Sequence, residues 1–439
     1  MRRTSQTYLT ISIAVAIIAA TLAVAAMLDP SRLAADRSST ALQIAIAFVL
    51  TFLVVLIVRY VLLLWLGYLQ HIENRGRDEE CTHRPPVTIV VPVYNEEAVI
   101  APALRSLLKL RYPVFHVIVV DDGSSDCTFE CARALEGRYE QSTIRVVRKR
   151  NGGKASALNV GIAMATTEFV LCMDGDCRLH RDTLRFAMRH FIDSRIGAVA
   201  GNVKVVNRTN LWTRLQALEY VEGLNTVRRA QGFLRVVNII PGPIGIFRRD
   251  ALVGVGGYDT DTFAEDADVT LKLLTAGWHI AYEERAIAYT EAPERLLELI
   301  KQRYRWTRGI LQALRKRGSW LGAPQRGMAV WLSLLVMLFE AIVWPAMNVV
   351  GNLLFTLAAL SAGVASGVFF WWALLTMLDV AAALYAVGME GEDLRLIPYA
   401  VAYRFFFITM IDVAKLFATA EEVARVRMTW GKLERAGRL

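Results

Sequence analysis

Asp174 and Asp176 lie two positions apart at the end of the apolar run in "FVLCMDGDC" (Phe169–Cys177). On an extended segment, residues i and i+2 face the same way, and Gly175 between them lets the backbone come close to a ligand. Two hard carboxylates placed like this suit a divalent Mg2+ or Mn2+ that also takes diphosphate oxygens. A plain acidic turn at a strand end carries the same letters, so the pair does not decide alone. Asp121 and Asp122 end a second apolar run, "FHVIVVDDGSSD", and can accept hydrogen bonds from a base or a ribose. "NGGKASALN" (Asn151–Asn159) adds backbone donors and one cation, Lys154, ahead of a helix, which suits a phosphate or a uracil edge. Farther on, "LIKQRYRWTRGI" (Leu299–Ile310) places Gln302, Arg305 and Trp306 at i, i+3 and i+4, on one face of a helix. A basic face so close to apolar segments has a plain alternative use, contact with lipid headgroups.

These side chains need elements to hold them. "VTIVVPVYNEE" (Val87–Glu97), Phe115–Asp126 and Phe169–Cys177 each read as an all-apolar strand ending in polar groups. Apolar runs without alternation are the pattern of parallel strands covered on both faces. Helical patterns lie between them at Ala98–Leu110, Thr128–Glu136 and Ala155–Ala165. Strand, helix, strand with ligand groups at the strand C-termini predicts a doubly wound, nucleotide-binding α/β sheet. The loops contain neither G-x-x-x-x-G-K-[ST] nor G-x-G-x-x-G, which excludes a P-loop enzyme and a dinucleotide dehydrogenase.

The chain has 439 residues, 54% of them hydrophobic, and a net charge of +9. No lysine-rich arm or helix-turn-helix pattern stands out, so nucleic acid is not an expected partner. The apolar residues gather at the two ends. Tyr8–Leu28 carries no charge, and Ala41–Leu69 is broken only by Arg59; each is long enough to cross a bilayer core of about 30 Å. After a polar block from about His71 to Arg326 the apolar runs return at Met328–Ala362, Gly363–Val387 and Leu396–Ala418. Arg2, Arg3 and the arginine-rich central block place the large domain in the cytoplasm. The tail cations Arg425, Arg427, Lys432, Arg435 and Arg438 call for an even number of spans after the domain. Met328–Ala362, with Pro345 in its middle, is long for one straight span and reads as two crossings or as one interfacial helix plus one crossing; the parity of the tail favours two crossings, six in all rather than five. The five cysteines all fall in the central block without zinc-type spacing, and are expected to be reduced structural thiols.

"PVYNEE", "VVDDGSSD", "NGGKASALN", "DGD", "FAEDADVTLKLLTAGW" and "QRYRW" occur in that order. In this combination the block Val87–Trp306 resembles the family 2 inverting glycosyltransferases with the GT-A fold. More narrowly it resembles their processive membrane synthases of poly-N-acetylglucosamine, hyaluronan, chitin and cellulose. The resemblance implies a cytoplasmic GT-A α/β domain between α-helical transmembrane segments. The expected parts are two N-terminal helices over 1–70, the glycosyltransferase domain over 71–290, and amphipathic interface helices over 291–326. C-terminal spans over 327–420 and a basic tail over 421–439 complete the chain.

The resemblance also implies roles. Tyr94 and Glu96, with Asp121 or Asp122, correspond to uridine contacts, and Lys154 to a basic residue near the nucleotide. Asp174 and Asp176 correspond to the D-x-D pair, Asp176 being the better candidate for direct metal ligation. Glu265 and Asp266 correspond to the T-E-D motif, whose aspartate is the general base; this chain has Ala264 in place of the threonine. Gln302, Arg305 and Trp306 correspond to Q-x-x-R-W, where amide and guanidinium stabilise the departing diphosphate and the indole offers a face to a sugar ring. "IIPGPIGIFRRDAL" (Ile239–Leu252) fills the slot of an acceptor-binding loop, with Gly242 in its turn. Arg404, Asp412 and Lys415, inside the last apolar run, are candidates to line a path for polymer.

The stretch "GNVKVVNRTNLWTRLQALEY" followed by "VRRAQGF" is most similar to the poly-N-acetylglucosamine synthase branch. The implied activity is processive, inverting polymerisation of N-acetylglucosamine from UDP-N-acetylglucosamine, with Mg2+ or Mn2+, in a bacterial inner membrane. The implied partners are the UDP-sugar donor, a growing polysaccharide acceptor, the lipid bilayer and a small regulatory membrane subunit. Another processive synthase (hyaluronan, chitin or β-glucan type) and a non-processive transferase acting on a lipid acceptor are the alternatives.

Overall fold

The computed structural model describes residues 40–76, 83–361 and 365–426. The expected first span (Tyr8–Leu28), Cys81 and the tail from Arg427 lie outside the described residues.

The central block is built on nine strands: β1 (Val87–Val93), β2 (Phe115–Asp121), β3 (Gly137–Arg138), β4 (Ser142–Arg148), β5 (Phe169–Cys172), β6 (Arg178–Leu179), β7 (Ile196–Val205), β8 (Gly245–Arg248) and β9 (His279–Thr290). Their order in one sheet is β3-β4-β2-β1-β5-β8-β7-β9-β6. The three apolar runs read from the sequence are the centre of this sheet. β1 pairs in parallel with β2 and β5, and β2 with β4. Every residue of β1 is buried. Val87, Ile89, Val91 and Val93 face one core and Val90 the other, and burying each such side chain contributes roughly 1.5–3 kcal/mol. The second half differs from a purely parallel sheet: β8 runs antiparallel to both β5 and β7. The parallel register sets Val93 beside Asp121 and Asp121 beside Arg148, so the polar groups that follow each strand collect along one edge.

Glu265–Thr275, the base helix, opens with three carboxylates, Glu265, Asp266 and Asp268, where the helix dipole favours negative charge. Leu296–Lys316, the interface helix, buries Leu299, Gly309 and Ala313 together with Gln302, Arg303 and Arg308, and leaves Leu297 71% exposed.

Four stretches are long and apolar enough to cross a membrane: Ala47–Gly76, Met328–Leu357, Val368–Glu390 and Leu394–Val423. The chain is a membrane protein. Two expectations need correction. The leading helix (Thr40–Gly76) continues past residue 70, with its buried Gln70 and Asn74 donating to the Tyr282 carbonyl of β9. The run from Met328 is a single helical rod rather than two crossings. A π-turn at Phe339–Val343 joins Met328–Leu338 to Trp344–Ser361, and Pro345 follows that turn without breaking the rod.

The last stretch, ending in the helix Ile408–Val423, touches the α/β domain at both ends. Arg214 donates to Tyr399 Oη at 2.6 Å, and Arg308 Nε to Glu422 at 2.9 Å. Ala365–Glu390 also returns to the domain, where Glu390 accepts from Asn202 at 3.2 Å and Arg229 at 3.3 Å. Between these contacts the buried Arg404 guanidinium is paired with Asp379, to which Tyr60 also donates at 2.5 Å. A charge in an apolar bundle is tolerated when it is paired in this way.

Candidate active site

Asp174 follows β5, and the chain turns back at Gly175. A Cβ on Gly175 would run into Glu96 Oε2 and sit 2.8 Å from Val93 Cγ1. Only glycine lets the D-G-D turn lie against the "PVYNEE" turn after β1. Asp174, Asp176 and Cys177 bring one ligand atom each within 4.8 Å of one another. The Cys177 thiol donates to Asp176 Oδ1 at 3.2 Å, and burial, then the charges of Asp176 and Asp174, hold it protonated. The two carboxylates remain as an all-oxygen donor set, which fits Mg2+ or Mn2+.

Lys154, at the start of the helix Lys154–Met164, bridges two motifs. Its Nζ lies 2.6 Å from Asp174 Oδ1 and 2.7 Å from Glu265 Oε1. Burial by itself would lower its pKa, but Asp174 and Glu265 hold it well above its ordinary value. Asp266 stands next in line. Burial first, and the Glu265 charge second, push its carboxyl up to about 6, while Lys154 and the Ala267 N–H, which it accepts at 2.8 Å, pull the other way. Gly242 completes the cleft: a Cβ there would lie 3.1 Å from Lys154 Nζ and 3.2 Å from Asp174 Oδ2. Lys154, Asp174, Gly242, Glu265 and Asp266, five of the residues singled out from sequence, thus line one cleft. A carboxylate set with a pKa near neutrality, a cation and a metal-type pair suit proton removal beside a phosphate leaving group.

At the nucleoside end the carboxylates have local duties. Asp121 is buried and takes the Ser124 N–H at 3.3 Å and Arg148 Nε at 3.1 Å. Asp122 takes Lys149 Nζ at 2.5 Å, Gly152 N–H at 3.0 Å and Gly153 N–H at 2.7 Å. Both therefore build the loops around the cleft, and Asp122 specifically shapes the glycine turn ahead of Lys154. Tyr94, in the turn after β1, is 40% exposed.

The interface helix lies against the other side. Gly309 meets Ala264 directly: a Cβ there would be 2.5 Å from Ala264 Cβ and 2.6 Å from its N. Ala264 immediately precedes Glu265, so this contact sets the height of the base helix. Neither Gln302 nor Arg305 lines the cleft of Asp174 and Asp266. Gln302 is buried and accepts from Arg303 Nη1 at 2.6 Å. Trp306 lines a separate cavity of about 260 Å³, and one of its faces is already covered by the Arg303 guanidinium, 4.3 Å from the ring centroid.

This cavity lies between the domain and the apolar helices. Asn238 and Ile239 line it, while Ile240, Pro241 and Gly242 line the cleft, so the segment 238–242 is the wall between the two. Of the three intramembrane candidates, Asp412 and Lys415 line the cavity, whereas Arg404 is committed to Asp379. Three π-helical segments, Glu219–Asn225, Phe339–Val343 and Tyr403–Phe407, each contribute to its wall. Such turns widen a helix locally and recur at functional sites. Sequence reasoning missed Arg59, Glu222, Arg228, Arg303 and Glu340 here; the available signal was charged residues inside or beside apolar runs.

A family model described as "Glycosyltransferase like family 2" matches residues 85–309. The poly-beta-1,6-N-acetyl-D-glucosamine synthase of Staphylococcus aureus (strain COL) is 34% identical over 237 residues, 54% of this chain and 57% of that protein. The synthase of the same name from Staphylococcus epidermidis is 33% identical over 257 residues, 58% of this chain and 61% of that protein. The chain thus spans less than two thirds of the length of these curated relatives. Among solved structures, the mannosyltransferase PcManGT of Pyrobaculum calidifontis, in complex with GDP-Man and Mn2+, superposes with a TM-score of 0.61. It covers 88% of this chain and 100% of its own at 23% identity, a likeness of fold.

Proposed function

We propose, for a chain that belongs to the glycosyltransferase-like family 2, that it polymerises N-acetylglucosamine from UDP-N-acetylglucosamine with inversion, and passes the product toward the membrane. The observation that carries this reading is the convergence of Lys154, Asp174, Glu265 and Asp266 in one cleft, backed by a largely apolar cavity with charged side chains in its wall, between the domain and the apolar helices. The relatives named poly-beta-1,6-N-acetyl-D-glucosamine synthase support the choice of sugar.

Asp266 is the general base. It takes the proton of the acceptor hydroxyl as that oxygen bonds to the anomeric carbon of the donor. The bond from that carbon to the diphosphate breaks on the opposite face, and the electron pair leaves with UDP. Glu265 raises the basicity of Asp266, and Lys154 balances charge between the base and the departing phosphates. Asp174 and Asp176 would hold Mg2+ or Mn2+; when bound, the ion supplies positive charge to the diphosphate. Tyr94 and Glu96 receive the uridine, and Asp121 and Asp122, both buried, hold the loops that shape its site. Gly242 keeps the acceptor loop close enough for the hydroxyl to reach Asp266, and Trp306 presents its uncovered face to the sugar beyond. Gln302 supports this surface through Arg303, and Arg305 lies on the same helix as a second cation for the leaving diphosphate.

The membrane is the bacterial cytoplasmic membrane, with the domain inside. Met328–Ser361 leads away from the domain and Ala365–Glu390 returns to it, an even number of crossings. The last stretch, held at both ends by the domain, lies along its membrane face. This arrangement satisfies the parity required by the basic tail.

The test is turnover by purified, nanodisc-held protein offered UDP-N-acetylglucosamine, UDP-glucose or UDP-glucuronate with Mg2+ or Mn2+, with UDP release and product size both read. Long polymer from UDP-N-acetylglucosamine alone is expected. Turnover with another donor only, or a single sugar added to lipid, overturns the proposal.

A further inference from the structure

The cavity beside Trp306 is lined by four carboxylates and four cations. Six of these eight are partnered within it. Arg303 pairs with Glu219, Arg59 lies 2.7 Å from Glu340, and Lys415 lies 3.6 Å from Asp412. The remaining two are Glu222 and Arg228. Neither has an ion-pair partner among the described residues. Glu222 Oε2 is buried without a hydrogen-bond partner. Arg228 donates only to Asn225 Oδ1, at 3.3 Å, which leaves most of its five N–H donors for a ligand.

Both side chains are half-buried, and a buried carboxyl oxygen without a partner, beside a guanidinium with free donors, is completed by a ligand that fills the cavity. The ligand must offer acceptors to the Arg228 donors and a group that both gives and takes a hydrogen bond to Glu222. A polyhydroxylated sugar bearing an acetamido group meets both conditions, with a hydroxyl for Glu222 and the acetamido carbonyl for Arg228. The volume, about 260 Å³, lies near the lower end of the roughly 300–1,000 Å³ range of ligand pockets, enough for one sugar unit rather than an extended segment. Burial, and then the charge of Asp379, raise the Glu222 carboxyl well above the usual carboxylate range. A protonated carboxyl donates one hydrogen bond and accepts another, as a sugar hydroxyl does. Position fits as well. The segment 238–242 lines both the cavity and the cleft of Asp266, and the Asp266 charge acts on Arg228.

We infer that Glu222 and Arg228 form a recognition site for the sugar unit of the acceptor one step inward from the reacting one, Glu222 engaging a hydroxyl and Arg228 the acetamido carbonyl. This rests on the polymerising reading above and deepens it. Glu222 and Arg228 become the residues that let the enzyme distinguish an N-acetylated chain from a plain glucan.

The test is binding of β-linked N-acetylglucosamine oligosaccharides of one to six units to the full chain in nanodiscs, without donor, read by tryptophan fluorescence. The variants Glu222→Gln and Arg228→Gln are compared with wild type, with thermal unfolding as the check on folding and Arg228→Lys as the conservative partner. Affinity in wild type is expected to rise on going from one unit to two, and each Gln variant to lose about tenfold or more for the two-unit ligand. In turnover the same variants raise KM for added oligosaccharide more than they lower kcat, and Arg228→Lys restores part of the loss. Glucose oligosaccharides are expected to bind wild type about tenfold more weakly than N-acetylated ones, a gap that closes in Arg228→Gln. Equal affinity across folded wild type and both Gln variants overturns the assignment, as does binding of lipid-linked sugars only. Oligosaccharide binding that the variants lose, in a protein that does not turn over UDP-N-acetylglucosamine, upholds the site and sinks the polymerase reading instead.

Discussion

The cleft at the strand ends and the cavity at the membrane boundary are neighbours built on opposite rules. In the cleft, groups sit on or directly after regular elements: Asp174 follows β5, Lys154 opens a helix and Asp266 lies in the first turn of another. Each is held by backbone geometry. In the cavity, the walls come from segments far apart in the chain, exemplified by Arg59 and Glu340, 281 positions apart and joined by a bidentate pair at 2.7 and 3.0 Å. Charge in the cleft is deliberately uneven, with two acids side by side and one pushed to a pKa of about 6. Charge in the cavity is mostly neutralised in pairs, Glu222 and Arg228 excepted. The first arrangement is suited to moving a proton, and the second to letting a neutral, hydroxylated chain sit or slide without a strong grip.

The sharpest way to break that contrast is to remove the base. Asp266→Asn keeps the shape of the cleft and is expected to lower kcat by about 10³, within the range typical of general-base loss, with KM for the donor changed by only a few-fold. Steady-state UDP release measures both. If kcat survives, the unevenness of the cleft is not the source of catalysis. A step smaller is Asp176→Asn. It is expected to cost about 10² in kcat and to weaken the apparent affinity for added Mn2+, measured by titrating the metal into chelator-treated protein. A variant with an unaltered Mn2+ titration would place the ion elsewhere.

The same contrast decides what could be read before the structure. Val87–Val93 was legible as a doubly covered strand because seven successive buried positions leave no polar alternation. The cleft followed, because its chemistry sits within a residue or two of strand and helix ends. The antiparallel turn of β8 into the sheet was not legible; Gly245–Arg248 is four residues long and its direction depends on partners on both sides. The continuous rod from Met328 was misjudged by length, since a π-turn leaves no composition signal. Glu222 and Arg228 stayed hidden for the same reason as the rest of the cavity. Nothing in "VEGLNTVRRAQGF" tells which charge finds a partner from a helix a hundred or more residues away.

Gly309→Ala joins the two regions. The added methyl has no room against Ala264, so the interface helix must move away from the segment that carries Glu265 and Asp266. A displacement well under 1 Å is expected to cost about 10-fold to 30-fold in kcat, since a misplacement of about 1 Å can cost roughly 10². Thermal unfolding should shift by a few degrees at most. Loss of folding without loss of specific activity in the surviving protein would mean the contact is structural support alone.

The smallest effect is the pH profile, and its sign follows from the cleft. Asp266 must be ionised to accept a proton, and its pKa of about 6 lies above the ordinary carboxylate value because burial and Glu265 disfavour its charge. Transfer therefore holds steady above that value and declines as pH falls through it, about tenfold per pH unit once the base is mostly protonated. At pH 5 this amounts to roughly a tenfold loss in kcat/KM, read in buffers of constant ionic strength. Lys154 pulls in the opposite direction, since its ammonium favours the ionised form. Lys154→Met is accordingly expected to move the acid limb upward, toward neutral pH, in addition to weakening donor binding. A limb that stays in place in Lys154→Met, or one that vanishes in wild type, would show that the proton leaves by a route other than Asp266. The division between an uneven, proton-moving cleft and a balanced cavity would then have to be redrawn around another acid.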